Sequence, residues 1–339
     1  MNNRFYDYET IVIGGGLSGS QAAVSSAGRG SRTLLISINM DTLGWMQFSN
    51  LFNWKRYIGL SKGSGTRNNL IPQIIKKHSL LMIDENSRFP EKLRGSTVID
   101  RKRSALAIKS SMESFNFLET RQGLATDIIK NGNGFNVVTS DSLLYFATAV
   151  VVCTGTYLDA RIKWGKNIID GGRPGEIRSV RLLENLKRKG IVFYKDKMLA
   201  APKVIIVDRE SSIYGPACGI EVDHLMEDRG QGDKKSYKEI YLLPEGKETK
   251  ETYVYGFENN LEEEEQLRLL SSAEKLKYSY MVRPGYEVEF AAVDGTHLTK
   301  DFSISGWPGL YFAGRVAGAK TYEESLAQGY KAGLEAGRR

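Results

Sequence analysis

Thr10 to Ile13 reads as a short β-branched strand that runs straight into Gly14-Gly15-Gly16-Leu17-Ser18-Gly19 and then into an Ala- and Ser-rich helical stretch ending near Arg29. In the spacing Gly14-x-Gly16-x-x-Gly19 each glycine has its own task. Gly14 permits a tight turn, Gly16 lets the backbone approach a pyrophosphate, and Gly19 lets helix lie close on strand. The helix N-terminus that follows offers free N–H groups and partial positive charge to phosphates. Thr33 to Ser37 is a second buried strand, so the chain opens as a βαβ unit around a dinucleotide-type turn. A ribose-binding carboxylate is expected about 20 residues beyond the turn. Here the strand ends Ile36-Ser37-Ile38-Asn39, with no carboxylate before Asp41, so Asn39 is the candidate ribose contact.

The far end of the chain supplies a partner for this turn. An apolar strand at 309–313 reaches Gly314-Arg315, then Gly318-Ala319-Lys320-Thr321, and a helix opens with Tyr322-Glu323-Glu324. A terminal helix aimed this way places its positive end where a reduced flavin gathers negative charge. Two such turns suit FAD better than NAD, and no second complete glycine motif for a nicotinamide cofactor is visible.

Bulk properties fit a globular protein of one large domain or two: 339 residues, 41% hydrophobic. No apolar run reaches about 18 residues, which predicts no membrane span, and the polar start lacks the apolar core of a signal peptide, so the expected location is the cytoplasm. Cys153 and Cys218 have no metal-ligand spacing, and Cys153 sits in an apolar strand as core. His78, His224 and His297 are scattered and read as structural or exposed. The net charge of +7 is concentrated in runs 55–67 and 88–103, which are interleaved with aromatics and make nucleic acid a candidate partner.

Between the two turns, residues 44–95 read as loops and short helices around a site. A helix is expected from a Thr97 cap to about Phe117, a hairpin over Asn131 to Gly134, and a strand from Tyr145 to Cys153. Arg178 to Lys189 is an amphipathic helix closed by Gly190. Strand-like pieces at 204–207, 239–243 and 252–255 precede a helix over Glu262 to Lys277 and a strand over Glu287 to Val293.

Six segments occur in a telling order: Asn39-Met40-Asp41-Thr42-Leu43-Gly44, Gly155-Thr156-Tyr157-Leu158-Asp159, Gly171-Gly172-Arg173, Pro244-Glu245-Gly246, Val282-Arg283-Pro284-Gly285-Tyr286, and Tyr322-Glu323-Glu324 through Gln328-Gly329. Together they resemble the MnmG (GidA) family, FAD enzymes that act with a GTPase partner, MnmE, to install an aminomethyl or carboxymethylaminomethyl group on C5 of wobble uridine in tRNA. The folate-dependent uracil methyltransferase TrmFO is similar in fold and less so in these motifs. The resemblance implies an α/β fold: a glutathione-reductase-like FAD-binding Rossmann domain (1–160 and 280–339) with an inserted smaller β-rich domain (161–279). It implies that Gly14, Gly16, Gly19, Asn39, Gly155, Gly314, Arg315, Tyr322 and Glu323 hold FAD, and that the base lies over the flavin near Arg283, Tyr286 and residues 41–54. A homodimer is expected by the same resemblance.

The departures redirect the expected chemistry. Family members are longer and end in a helical domain that binds tRNA and the GTPase. This sequence ends at Arg339, so an MnmE-type partner is not expected. Phe48 stands where the family has a loop cysteine, Cys218 matches the other functional cysteine, and the family's Lys-Thr-Gly-Thr-Pro-Pro-Arg element is Lys197 to Lys203 here. The leading expectation is an FAD-dependent oxidase or lyase acting on a C5 substituent of uracil or thymine in nucleic acid, cleaving a glycine-type amine to a 5-aminomethyl pyrimidine in hypermodified viral DNA. Arg283 or Arg315 would clamp the glycine carboxylate. The alternatives are a compact tRNA wobble-uridine modifier using NADH and methylenetetrahydrofolate, and a non-catalytic flavin-binding partner protein. Cys218 is the candidate nucleophile, and Tyr286, Glu289 and Asp294 are proton-transfer candidates.

Overall fold

β1 (Tyr6–Ile13), α1 (Leu17–Ala27) and β2 (Thr33–Ser37) form the expected opening unit, with Ile11 opposite Leu34 and Ile13 opposite Ile36 in parallel register. The computed structural model describes residues 6–61, 70–85, 89–206, 218–224 and 236–338, giving the backbone alone at 6, 92, 218–224 and 236–238.

The next stretch differs from expectation. Beside short helices it carries a small antiparallel sheet in the order β3-β5-β4, built from β3 (Leu51–Asn53), α2 (Trp54–Leu60), α3 (Leu70–Lys77), β4 (Ser79–Met82) and β5 (Ser96–Ile99). The helix expected from Thr97 therefore starts later. Residues 96–99 are fully buried as β5, and α4 (Arg101–Glu113) is capped by Asp100, which accepts from the Arg103 N–H at 3.0 Å. A short buried apolar run serves a strand as well as a helix, so periodicity alone could not separate them.

β6 (Leu118–Gln122), the hairpin β7 (Ala125–Asn131) and β8 (Gly134–Thr139), and β9 (Leu144–Val152) follow as the turn residues dictate, with Gly132 at φ 54°. Then come β10 (Arg161–Trp164), β11 (Asn167–Asp170), α5 (Val180–Arg188), β12 (Phe193–Ala200), β13 (Lys203–Ile205), β14 (Cys218–His224), β15 (Ser236–Pro244), β16 (Glu251–Tyr255) and α6 (Glu263–Leu270). The last is shorter than the expected helix over 262–277, giving way to a 3-10 turn at Glu274–Leu276. The chain closes with β17 (Tyr280–Arg283), β18 (Tyr286–Val293), β19 (Ser303–Ile304), β20 (Trp307–Phe312) and α7 (Tyr322–Ala336).

The main sheet holds the parallel order β20-β9-β1-β2-β6, with β19 at one edge and the β7–β8 hairpin joined through β8 to β9. Both faces are covered, which is why its strands are continuously apolar. Ile11, Ile13, Val150 and Val152 pack toward Leu182, Leu183 and Leu186 of α5, whereas Val12, Leu35 and Val151 pack toward α1 and α7. Two antiparallel sheets lie beyond it, ordered β11-β10-β18-β12 and β14-β15-β16-β13-β17. β17 thus pairs with β13, and β18 with β10 and β12, before the chain rejoins the parallel sheet at β20. No helix among the described residues is long and apolar enough to cross a membrane.

α1 and α7 meet along a seam of small residues. Ser18, Ala22 and Ser26 face Gly329, Gly333 and Gly337, one helical turn apart on each side. A Cβ at Gly329 would stand 2.2 Å from the Ser18 carbonyl oxygen, and one at Gly333 2.2 Å from that of Ala22. This close approach brings the N-termini of both helices to one place.

Candidate functional site

That place is a cavity of about 390 Å³. Gly14 to Ser18 line it from the start of α1, and Ala319 to Glu323 from the start of α7. The three motif glycines behave differently there. Gly14 holds φ 104° and a Cβ on it would strike the Cys153 carbonyl oxygen at 2.3 Å; one on Gly19 would strike the Gly14 oxygen at 1.7 Å. Both are demanded by packing. Gly16, which caps α1 in extended conformation, has nothing within 4 Å of where a Cβ would stand. The packing of the chain therefore does not explain its lack of a side chain, whereas the approach of a phosphate would.

At the other end Thr321 caps α7, accepting from the Glu324 N–H at 3.2 Å while Glu324 accepts from the Lys320 N–H at 2.7 Å. The Tyr322 hydroxyl accepts from the backbone N–H groups of Phe48 and Ser49 at 2.7 and 3.0 Å. Burial pushes its pKa up to about 12, so it stays neutral. Glu323, only 3% exposed, accepts from the Asn53 N–H. Thr154 Oγ1 and Arg315 Nε are buried without a protein partner, and both residues line the cavity. Arg315 is otherwise held by Asp196 at 3.2 Å and by the Ala319 carbonyl at 2.9 Å. These features fit a dinucleotide: room for phosphates at Gly16, two positive helix ends, and polar atoms awaiting partners.

Of the residues singled out from sequence, the structure gathers Gly14, Gly16, Gly155, Arg315, Tyr322 and Glu323 on the cavity wall. Gly19 and Gly314 stand behind it as packing positions, Gly314 at φ 83° against Ser18. Asn39 is committed elsewhere: its Nδ2 donates to Glu176 at 3.1 Å and its Oδ1 accepts from the Asp41 N–H at 2.9 Å. The carboxylate missing from the end of β2 is thus brought there by Glu176, far away in sequence, which also accepts from the Tyr157 hydroxyl. Tyr286 is buried and touches the wall through Gln47, whose Nε2 lies 3.3 Å from its hydroxyl. Arg283 lies over the Tyr286 ring at 5.2 Å and donates to the Ala201 carbonyl at 2.8 Å.

Glu289 is poorly placed for proton transfer. It lies on β18, off the cavity wall, bonded to Lys163 at 2.7 Å and Lys195 at 3.0 Å, and these partners hold its pKa down at about 2. Asp294 caps a turn by accepting from the Thr296 N–H at 2.9 Å. Cys218 begins β14, but its side chain lies outside the described residues, as does that of His224. Cys153 is buried beside Ser18, and burial pushes its thiol up to about 12, as suits a core residue.

Trp45 and Gln47, within the 41–54 stretch expected near the base, line the wall beside Tyr157 and Arg173 of the 155–159 and 171–173 segments, whose individual roles the sequence did not single out; there the Arg173 guanidinium lies over Trp45 at 5.0 Å. The basic runs also hold less free charge than the sequence suggests. Arg101 is buried, Lys55 pairs with Glu85, Lys102 with Glu251, and Arg103 with Glu248. Lys62, Arg67 and Arg88 lie outside the described residues.

Fold and cavity together define a doubly wound α/β protein with a dinucleotide-type glycine turn, closed by a second helix aimed at the same space. The family model described as Glucose inhibited division protein A matches residues 9–213 and 218–339, and the chain belongs to that family. It is 27% identical to the tRNA uridine 5-carboxymethylaminomethyl modification enzyme MnmG of Bacillus velezensis over 98% of this chain and 62% of the relative. A structure of Aquifex aeolicus GidA superposes with a TM-score of 0.83 at 25% identity, covering 98% of this chain and 63% of that one. The GidA-related protein from Thermus thermophilus shares the fold at a TM-score of 0.56 and 16% identity, with 96% of each chain covered. The chain thus spans less than two thirds of the MnmG relative's length.

Proposed function

We propose that this chain binds FAD between the ends of α1 and α7 and forms the flavin- and base-binding part of an enzyme that modifies C5 of uridine in tRNA. The observation that carries the reading is Gly16, a helix-capping glycine with open space where a side chain would stand, facing a cavity also lined by the start of α7. Bound FAD would supply reversible hydride transfer. The free N–H groups at the start of α1 would hold its pyrophosphate, and the positive end of α7 would lie where negative charge gathers on reduction. Arg283, whose Nε is buried without a partner, would bind an anionic group of the substrate beside Tyr286. Any thiol chemistry would fall to Cys218, because Phe48 lines the cavity at the loop position.

The names of the relatives favour tRNA over the DNA reading, and with tRNA come NADH and methylenetetrahydrofolate as the proposed co-substrates. Segment 161–279, with the antiparallel sheets it builds, is proposed to shape the substrate side. Anaerobic reduction of the bound flavin by NADH, followed by methylenetetrahydrofolate and unmodified tRNA, tests the proposal. It is run with and without an added MnmE-type GTPase. The expected result is a mass gain on a tRNA uridine nucleoside. Flavin bleaching by DNA carrying a 5-(glycylmethyl)pyrimidine, with tRNA left unchanged, would overturn the reading in favour of the oxidase.

A further inference from the structure

Trp45, Gln47, Phe48 and Ser49 line the cavity from a segment that belongs to no helix or strand. An irregular backbone beside a ligand must have its N–H and C=O groups satisfied by something. Side chains from three distant elements do so here. The Tyr322 hydroxyl on α7 accepts from the Phe48 and Ser49 N–H groups. The Tyr253 hydroxyl on β16 donates to the Phe48 carbonyl. Arg101 on α4 directs Nη1 at the carbonyls of Met46, Gln47 and Ser49, at 2.8, 3.3 and 3.4 Å.

Arg101 differs from the two tyrosines in carrying a charge on a side chain that is 0% exposed. Its Nε donates to Glu245 Oε2 at 2.8 Å and its Nη2 to the other oxygen of the same carboxylate, itself 1% exposed. Burial opposes the guanidinium charge, but Glu245 outweighs it and the group stays protonated. Lys203 joins Glu245 at 3.6 Å. Net stability is a weak reason to bury such a pair, since apolar residues of similar volume often serve as well or better. What apolar residues cannot do is hold three carbonyls of one strap. A lysine cannot either, because one ammonium cannot pair both carboxylate oxygens and still reach the strap.

We propose that Arg101, oriented by Glu245, is a positioning residue that fixes the Trp45–Ser49 backbone against the bound flavin. The proposal rests on the reading that the cavity holds FAD. Through Glu245, which follows β15, it also ties the flavin wall to the five-stranded sheet.

FAD titrations followed by flavin fluorescence and visible absorbance test this on the wild type, on Arg101→Lys, and on the double variant Arg101→Met with Glu245→Leu. Melting of the flavin-free proteins is measured alongside. The double variant should melt near the wild-type temperature yet bind FAD on the order of tenfold more weakly, equivalent to about 1.4 kcal/mol, with a shifted flavin spectrum. Arg101→Lys should fail to rescue binding although it keeps the charge. Unchanged affinity and spectrum in both would overturn the proposal. If neither folds, Glu245→Gln carries the same expectation of weaker binding and a shifted spectrum, and its matching the wild type overturns the proposal. A wild type that binds no flavin would instead refute the FAD reading itself.

Discussion

Replacing Gly329 by alanine tests the seam that brings the two helix ends together. In an exposed helix interior the change would help by up to about 1 kcal/mol, because glycine is the poorer helix former. Here the added Cβ would stand 2.2 Å from the Ser18 carbonyl oxygen, a backbone atom that cannot rotate away. Overpacking typically costs about 1–3 kcal/mol, and a rigid obstacle puts this case at the upper end. The net loss is therefore about 2 kcal/mol, with melting lower by roughly 3 °C for a chain of this length. Because α7 must move off α1, Tyr322 and Glu323 also shift relative to Gly16, and FAD affinity falls with stability. Gly59→Ala is the matched control: it lies in α2 with nothing within 4 Å of the new Cβ, so melting should hold or rise. Thermal melts of the flavin-free proteins with FAD titrations decide. A Gly329→Ala protein as stable as the wild type would refute the reasoning.

Tyr322→Phe removes the acceptor for two backbone N–H groups of the strap. Stability should drop by about 1–3 kcal/mol, seen by denaturant unfolding, and amide exchange at Phe48 and Ser49 should accelerate; unchanged exchange would contradict the bonding described. Glu289 titrates near 2 in the folded chain, below the unfolded range near 4.3. Its contribution is thus full above the unfolded value and lost as pH falls toward 2. Glu289→Gln should be the less stable protein at pH 6, with the gap closing on acidification, and a pH-independent gap would count against the lysine pairing.

The parallel sheet and its glycine turn were legible because their causes are local. Strands covered on both faces read as unbroken apolar runs, and Gly14 and Gly19 are required by atoms a few residues away or on the adjacent strand. The small sheet of β3, β4 and β5 was not legible, since strands of three or four residues leave no period to read, and Thr97 imitated a cap that Asp100 supplies. The strap was hidden for another reason. Arg101 and Glu245 lie 144 positions apart, and Arg101 sits inside a basic run read as a candidate nucleic-acid contact. Glu176 escaped notice the same way, reaching Asn39 across 137 positions. Side chains that act through tertiary contact leave no spacing signal.

Gly16 gives the most direct test of the central claim, that the cavity is a flavin site. Its replacement by leucine meets no protein atom within 4 Å at the Cβ but intrudes on the space assigned to the pyrophosphate. FAD is titrated into the wild type and Gly16→Leu, with flavin-free melts measured in parallel. The expected result is one FAD per wild-type chain, and a variant that melts like the wild type yet no longer binds. Equal FAD binding by both proteins, or none by the wild type, would contradict the claim.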